Sequence, residues 1–130
     1  MITTSDIANI LYTDCKSFGI TTYQRGNVPQ GDVTDERIVI YARSNTMGMY
    51  WGKSFVDVNF CVPDIGENVA NLLRLNDIER EATARLSQKS GRYDGTCYRY
   101  SIDRIGIEAD TALKCHYINV KLLFEILNVK

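Results

Sequence analysis

The chain has 130 residues, 45% hydrophobic and 24% charged, and this composition predicts one globular domain rather than a disordered or fibrous chain. Its 15 basic and 16 acidic residues give a net charge of -1, which argues against specific duplex binding, because domains that neutralise nucleic-acid phosphates normally carry a basic excess on one face. No apolar stretch approaches the roughly 20 residues of a membrane span, and the N-terminus lacks the features of a secretion signal. We therefore expect no membrane association. We also expect the protein to stay in the cytoplasm or in a particle assembled there.

The first predicted element is a helix that begins near Thr4 or Ser5, both of which suit a helix N-cap. An apolar stripe with helical spacing follows, formed by Ile7, Ile10, Leu11 and Phe18. Gly19 is expected to end the helix. Residues 20–24 have the character of a short strand, and the Gly, Asn and Pro content of residues 25–32 predicts a loop.

Two strands are predicted next. Residues 36–42 contain a continuous apolar run, which indicates a strand covered on both faces over part of its length. Residues 54–62 alternate, and the purely apolar face, which is expected to face the core, consists of Val56, Val58, Phe60 and Val62. The two strands are expected to pair antiparallel, and Pro63 ends the second one because proline cannot donate a ladder hydrogen bond.

A helix over residues 69–87 is predicted from apolar residues at helical spacing, which are Leu72, Leu75, Ile78, Ala82 and Leu86. Two capping boxes are suggested by the sequence, Asp64 with Glu67 and Asn76 with Glu79. They leave open a loop or short turn before the main helix.

The last third of the chain is predicted to be two strands. The apolar alternation of residues 96–107 changes phase near Arg104, which indicates a β-bulge. Residues 108–111 are expected to form a turn and residues 112–124 the last strand. Residues 121–127 either continue that strand or form a final helical turn.

The predicted order, α-β-β-β-α-β-β, is typical of one α+β domain, here spanning residues 1–130. We expect a small mixed or antiparallel sheet with an N-terminal helix and a central helix packed on one face. The last two strands are expected to form a C-terminal β-hairpin.

No combination of residues points strongly to catalysis, a metal site or a cofactor, and we expect none of the three. The cysteines are far apart in the sequence and are expected to be reduced, mostly buried thiols: Cys15, Cys61, Cys97 and Cys115. His116 directly follows Cys115, and adjacent strand residues point to opposite faces, so this pair could not share a metal ion without a bulge. His116 is expected to be a packed or edge histidine.

Two alternatives from other functional classes stay open. Asp57 and Asn59 share a strand face, and together with Glu36 on the paired strand they could hold a divalent ion in a small nuclease, although they equally suit the wet face of a half-buried sheet. Tyr98 and Tyr100 flank a basic residue and could stack single-stranded bases. Tyrosine is also common in strands and interfaces, which is the simpler interpretation.

The connection between the second and third strands contains a candidate subunit interface, formed by Met47, Met49, Tyr50 and Trp51. If this segment folded back onto its own core, it would be ordinary. If it projects, it exposes a contiguous apolar patch and therefore predicts a partner, because soluble monomers avoid such patches and interfaces are enriched in Met and aromatic residues.

Residues 56–64 (Val-Asp-Val-Asn-Phe-Cys-Val-Pro-Asp) and 74–80 (Arg-Leu-Asn-Asp-Ile-Glu-Arg), followed by a long terminal hairpin, resemble small virion proteins of tailed bacteriophages. The similar group is the tail-completion or tail-terminator proteins and related head–tail connector ring subunits. The resemblance lies in architecture and size and covers about residues 37–130. It implies a structural protein without cofactor or catalytic residue, assembled in the host cytoplasm and located in the virion.

In that family, identical subunits form a ring, here expected to be a hexamer or dodecamer, that joins the tail tube to the neck. The resemblance implies contacts with other neck and tail proteins. It also implies a ring that encloses the DNA channel without sequence-specific binding.

Overall fold

The computed structural model describes residues 2–43 and 51–127, with only the backbone of Trp51. Helix α1 (Thr4–Cys15) begins with a capping box between Thr3 and Asp6. The Thr3 hydroxyl accepts a hydrogen bond from the Asp6 backbone N–H (3.1 Å), and the Thr3 backbone N–H donates to the Asp6 carboxylate (2.9 Å). The predicted cap at Thr4 or Ser5 is therefore wrong by one or two residues, because only Thr3 has the spacing to Asp6 that makes both bonds.

The end of this helical segment is as predicted. After α1 the chain makes a 3-10 turn (Lys16–Phe18), and Gly19 follows in the left-handed region with φ of 70°. Glycine adopts this conformation without a steric cost, which is why it ends helices so often. The predicted apolar stripe contacts the core: Ile7, Ile10 and Leu11 are buried, and Phe18 packs against them.

Helix α2 (Leu72–Leu86) begins after Asn71, whose side chain accepts a hydrogen bond from the Arg74 backbone N–H (3.3 Å). Four residues of the predicted stripe are fully buried, which confirms them as its core-facing side: Leu75, Ile78, Ala82 and Leu86. The fifth, Leu72, is 62% exposed. The helix is therefore shorter than the predicted span of residues 69–87.

Both predicted capping boxes are wrong. Asn76 and Glu79 lie inside α2, where the backbone N–H groups already have intrahelical partners. Asp64 does not cap a helix with Glu67, because its carboxylate is bound to His116.

The described residues form one six-stranded sheet. Its strands are β1 (Thr22–Gln24), β2 (Arg37–Ala42), β3 (Trp51–Pro63), β4 (Gln88–Tyr93), β5 (Thr96–Asp110) and β6 (Cys115–Leu127). The order across the sheet is β1-β2-β3-β6-β5-β4. Only the β1–β2 pair is parallel, and the antiparallel pairing of β2 with β3 confirms the prediction.

Both helices pack on one face of the sheet, which we call the helix face: α1 lies on β1 and β2, and α2 lies on β3, β5 and β6. The predicted apolar side of β3 points to this face, and its members are at most 2% exposed: Val56, Val58, Phe60 and Val62. The three consecutive residues Ile38, Val39 and Ile40 are all buried, which confirms that β2 is covered on both faces in this part. We call the opposite side of the sheet the open face.

Strand β4 is absent from the prediction because its residues are mostly polar and lie at the sheet edge, where no apolar alternation is needed. A signal was nevertheless present. Asp94 and Gly95 connect β4 to β5 with positive φ angles of 50° and 75°, and an Asp-Gly pair is typical of the two-residue turns that join hairpin strands.

The predicted β-bulge is confirmed. The register of β5 against β6 shifts between Ile102 and Arg104, so Asp103 is the extra residue. Before the shift, even-numbered residues of β5 point to the helix face; after it, Ile105 and Ile107 take that side and Arg104 points to the open face.

The hairpin at the end of the chain is longer than expected. The ladder between β5 and β6 continues to Asp110, so the predicted turn over residues 108–111 is wrong, and a 3-10 turn (Thr111–Leu113) connects the strands instead. Residues 121–127 continue β6 rather than forming a helical turn.

The described residues thus form an α+β fold with two helices on one face of a mixed sheet. The class and the helix placement agree with the prediction, whereas the sheet is larger than the small one expected. None of the described helices is long and apolar enough to span a membrane.

Candidate functional site

The candidate interface in the connection before β3 falls mostly on residues that the structure does not describe. Met47, Met49 and Tyr50 lie outside the described residues. Trp51 is the first residue of β3, and its backbone pairs with Leu127 of β6. The interface prediction for these four residues stays a prediction.

The carboxylates of the nuclease alternative are not brought together. Asp57 is paired with Tyr41 on β2, and Glu36 precedes Tyr41 by five residues, which is about 16 Å along a strand. The Glu36 carboxylate instead binds the Arg74 guanidinium of α2 through two hydrogen bonds of 2.7 and 2.9 Å. These bonds raise the pKa of Arg74 and attach the helix to the sheet.

Asp57 has its own partners on the open face. It is only 7% exposed, and one of its oxygens accepts hydrogen bonds from Arg43 Nε (2.8 Å) and Nη2 (2.6 Å). The Asn119 amide donates to the Asn59 side-chain oxygen (2.7 Å) and more weakly to Asp57 (3.4 Å). Among the described residues, no group of three or more His, Cys, Asp or Glu side chains could hold a metal ion.

His116 is a packed histidine, as predicted. Its Nδ1 lies 2.6 Å from a carboxylate oxygen of Asp64, whose side chain is 5% exposed. Because Asp64 directly follows β3 and His116 belongs to β6, this contact joins the ends of the two central strands. Cys115 precedes His116 in β6 and points to the other face of the sheet.

The four cysteines are free thiols; Cys15 and Cys115 are buried, and the other two are half-buried. Burial raises the pKa of Cys15 to about 12. A hydrogen bond with Cys115 and burial together raise the pKa of Cys61. The raised pKa values keep Cys15 and Cys61 protonated at neutral pH, which agrees with their predicted role as small packing groups.

The two tyrosines proposed for base stacking point to the helix face. Tyr100 is 1% exposed, and its hydroxyl donates a hydrogen bond to the Asp14 carboxylate of α1 (2.6 Å). Tyr98 and Tyr100 both stack on Phe124, with ring centroids 5.2 and 5.9 Å apart. The single-strand interpretation is therefore wrong for Tyr100, because a buried ring cannot receive a base.

One strand edge of the sheet is uncovered, and sequence reasoning missed it. Strand β4 pairs with β5 only as far as Ser101, and the next bond on this side joins the Ile102 N–H to the Ser87 carbonyl (3.2 Å). Residues 104–110 of β5 pair with β6 on one side only. On the other side no described strand pairs with them, and we call this side the outer edge. Ile107 on this edge is 46% exposed. An uncovered edge presents backbone N–H and C=O groups that can pair with a strand of another chain.

A second exposed feature lies between β3 and the first turn of α2. Four large apolar side chains occur within nine residues, and they are 68, 50, 62 and 85% exposed in the order Ile65, Val69, Leu72 and Leu73. We call them the apolar segment. Clusters of exposed apolar side chains on a folded protein mark surfaces that contact a partner. The prediction treated Leu72 as part of the core, because periodicity alone does not show where a helix leaves the sheet.

No protein-family model matches the chain, and no curated protein is significantly similar to it. A solved structure whose name states no function is similar to it over 95% of this chain and 95% of its own length, with a TM-score of 0.66 and 11% sequence identity. At this identity the similarity supports the fold alone.

Proposed function

We propose that this chain is a structural virion protein of a tailed phage, a ring-forming tail-terminator or head–tail connector subunit that joins the tail tube to the neck. In this proposal the subunit is assembled in the host cytoplasm and contacts a second copy of itself and other neck and tail proteins. The ring surrounds the DNA channel without reading sequence. The resemblance of residues 56–64 and 74–80 to that family supports the phage assignment.

The outer edge is the observation that carries the self-association part of the proposal. Natural proteins usually protect long strand edges with charges, proline, bulges or a covering element. This edge follows the bulge at Asp103 and carries charged residues, but no described strand covers it and the side chain of Ile107 is exposed. The apolar segment adds a surface that a monomer would leave in water. Both features fit a chain whose stable form is an assembly.

The two ends of the sheet favour a ring over a single pair. The outer edge spans seven residues of β5, beside the last strand β4, whereas the other end of the sheet is the three-residue strand β1. A contact between unlike patches leaves one patch of each kind available for a further copy, and such head-to-tail contacts close into rings when the rotation permits. The segment with Met47, Met49, Tyr50 and Trp51 is the proposed second patch.

The substitution Ile107→Lys should convert the ring into monomers, because a charged side chain on an edge strand opposes the addition of another strand. Sedimentation velocity of the purified full chain would measure the change from an assembly of hexamer or dodecamer size to a single subunit. Thr13→Lys adds the same charge at an exposed position of α1 and should leave the ring intact. A wild-type chain that is a monomer or a simple dimer at every concentration would contradict the proposal.

Replacing Trp51 by Ala should weaken assembly by about 2 kcal/mol or more while the subunit stays folded, because buried Trp side chains dominate interface energies. The measurement is the concentration at which the ring dissociates, compared with the wild-type chain. Unchanged assembly of Trp51→Ala would remove this residue from the interface without affecting the test at the outer edge.

A further inference from the structure

The open face of the sheet brings together side chains that are far apart in the sequence. Tyr41, Asp57, Lys121 and Arg104 are successive cross-strand partners on β2, β3, β6 and β5, so their side chains form one row across four strands. Such a row is about 14 Å long. The bulge in β5 is required for it, because the register shift at Asp103 turns Arg104 from the helix face to the open face.

Charge is unevenly distributed between this face and the rest of the chain. Seven basic side chains point to the open face: Arg37, Arg43, Lys53, Arg92, Arg99, Arg104 and Lys121. Six of them belong to the described strands, and Arg43 directly follows β2. Four acidic residues share it: Asp57, Glu108, Asp110 and Glu125. Arg25, which follows β1, also lines this face. Because the whole chain has 15 basic and 16 acidic residues, seven basic and twelve acidic residues lie elsewhere. A nearly neutral protein thus carries a basic face.

The acidic groups of this face are largely engaged within the protein. Asp57 is bound to Arg43, and the Glu108 carboxylate accepts a hydrogen bond from the Tyr117 hydroxyl (2.9 Å). Glu125 is paired with Arg99. The ion pairs offset the negative charge of Asp57 and Glu125, whereas Glu108, bound to a neutral hydroxyl, keeps its charge.

A cavity of about 540 Å³ lies at the centre of the face. Its lining contains four basic side chains and two carboxylates, Asp57 and Glu108, together with tyrosine and amide side chains. Three of its cations, Arg25, Arg104 and Lys121, have no described carboxylate within ion-pair distance. Lys121 instead lies over the Phe55 ring, with its ammonium 4.3 Å from the centroid. These side chains keep donors available for a ligand.

We propose that the open face binds the phosphodiester backbone of a nucleic acid, with Arg25, Arg104 and Lys121 as its phosphate contacts. Guanidinium and ammonium groups on an extended basic surface are the groups that neutralise successive phosphates. Tyr41 and Tyr117 provide half-exposed rings beside them, and such rings can pack against sugars or bases without selecting a sequence. This inference goes beyond the proposed ring function and does not depend on it.

The face fits a nucleic acid better than an acidic protein segment. Arg104 and Lys121 are cross-strand partners on β5 and β6, and Arg25, which follows β1, lines the same cavity. Cations spread across one face in this way suit a linear polyanion of regular charge. Backbone contacts of this kind position a nucleic acid but do not read its bases. The expectation against specific duplex binding therefore stands, while net charge alone concealed the local basic surface.

Fluorescence anisotropy with a labelled mixed-sequence oligonucleotide of about 20 nucleotides, single-stranded and as a duplex, tests the proposal at about 50 and about 200 mM salt. We expect binding by the wild-type chain at the lower salt concentration that weakens steeply at the higher one. The double variant R104Q/K121Q should bind at least about tenfold more weakly, with a log–log salt slope smaller by about two. The folded state of each variant is checked by circular dichroism.

The matched control is K16Q/R80Q, which removes the same charge from exposed positions of the 3-10 turn and of α2 and should bind as the wild-type chain does. Inorganic phosphate at the concentration of the oligonucleotide phosphates should not compete. The proposal is overturned if neither oligonucleotide binds at low salt, if the control loses as much affinity as R104Q/K121Q, or if inorganic phosphate displaces the oligonucleotide. Loss of self-association by R104Q/K121Q without any oligonucleotide binding would assign the face to a second copy of the chain instead.

Discussion

Replacing Phe124 by Ala should lower the free energy of unfolding by about 4 kcal/mol, because large-to-small changes of a buried aromatic residue typically cost 3–5 kcal/mol. Phe124 is fully buried in β6. Its ring stacks with Tyr98 and Tyr100 of β5, so the substitution removes both aromatic contacts and leaves a cavity under α2. Urea denaturation should show a lower midpoint with an unchanged dependence on denaturant.

Phe55→Ala is the matched control, since Phe55 lies on the neighbouring strand but points to the open face and is 37% exposed. Its loss should cost about 1 kcal/mol, because less apolar area is removed from contact and the ring interacts mainly with Lys121. An equal loss for both variants, or a loss below about 1.5 kcal/mol for Phe124→Ala, would show that the core is not centred on the helix face.

The sequence is informative where one face of an element is buried and the other is not. Alternation in β3 identifies the four residues that point to the helices, and the phase change near Arg104 locates the bulge within one residue or so. Gly19 ends the first helical segment because no other residue adopts its backbone angles as easily. These signals are local, so a short window of sequence contains them.

Elements that form only through contacts with residues distant in the sequence leave no such local signal. Strand β4 is polar and is held by pairing with β5 rather than by its own apolar pattern. Helix α2 begins at Leu72 rather than at residue 69, because hydrogen bonds with Ile65 and Gly66 hold Val69 in a turn. Asp64, a plausible cap in the sequence, is bound to His116 some fifty residues later. A capping motif describes only what a residue could do in the absence of such a partner.

The candidate surfaces could not be predicted from the sequence for the same reason. The basic residues of the open face are spread from Arg37 to Lys121, and only cross-strand pairing places them together. The tyrosines that looked suitable for base stacking point inward, since their even-numbered positions precede the bulge in β5. Sequence spacing identified neither the outer edge nor the basic face.

As the pH rises from 8 to 11, Cys15 and Tyr100 together should lower the free energy of unfolding by about 4 kcal/mol, since each group that ionises only in the unfolded chain contributes about 1.4 kcal/mol per pH unit. Burial raises the pKa of Cys15 from 9.0 to about 12. Burial and the hydrogen bond to Asp14 raise the pKa of Tyr100 well above 10.0. Below pH 9 both groups are protonated in the folded and unfolded chain, so their protonation adds no pH dependence there.

Above pH 9 the unfolded chain releases protons that the folded chain retains, and stability therefore falls as the pH rises. Urea denaturation at pH 8, 9, 10 and 11, chosen to bracket the unfolded pKa values, measures the slope. The Cys15→Ala variant should reduce this slope by about 1.4 kcal/mol per pH unit between pH 9 and 11. The Tyr100→Phe variant should reduce it by the same amount above pH 10. Ile38→Val, a fully buried change without a titrating group, should lower stability by the same amount at every pH. If the slope is equal in all four proteins, the pKa values of Cys15 and Tyr100 are the same in the folded and the unfolded chain. That result would contradict the effect of burial on these two groups.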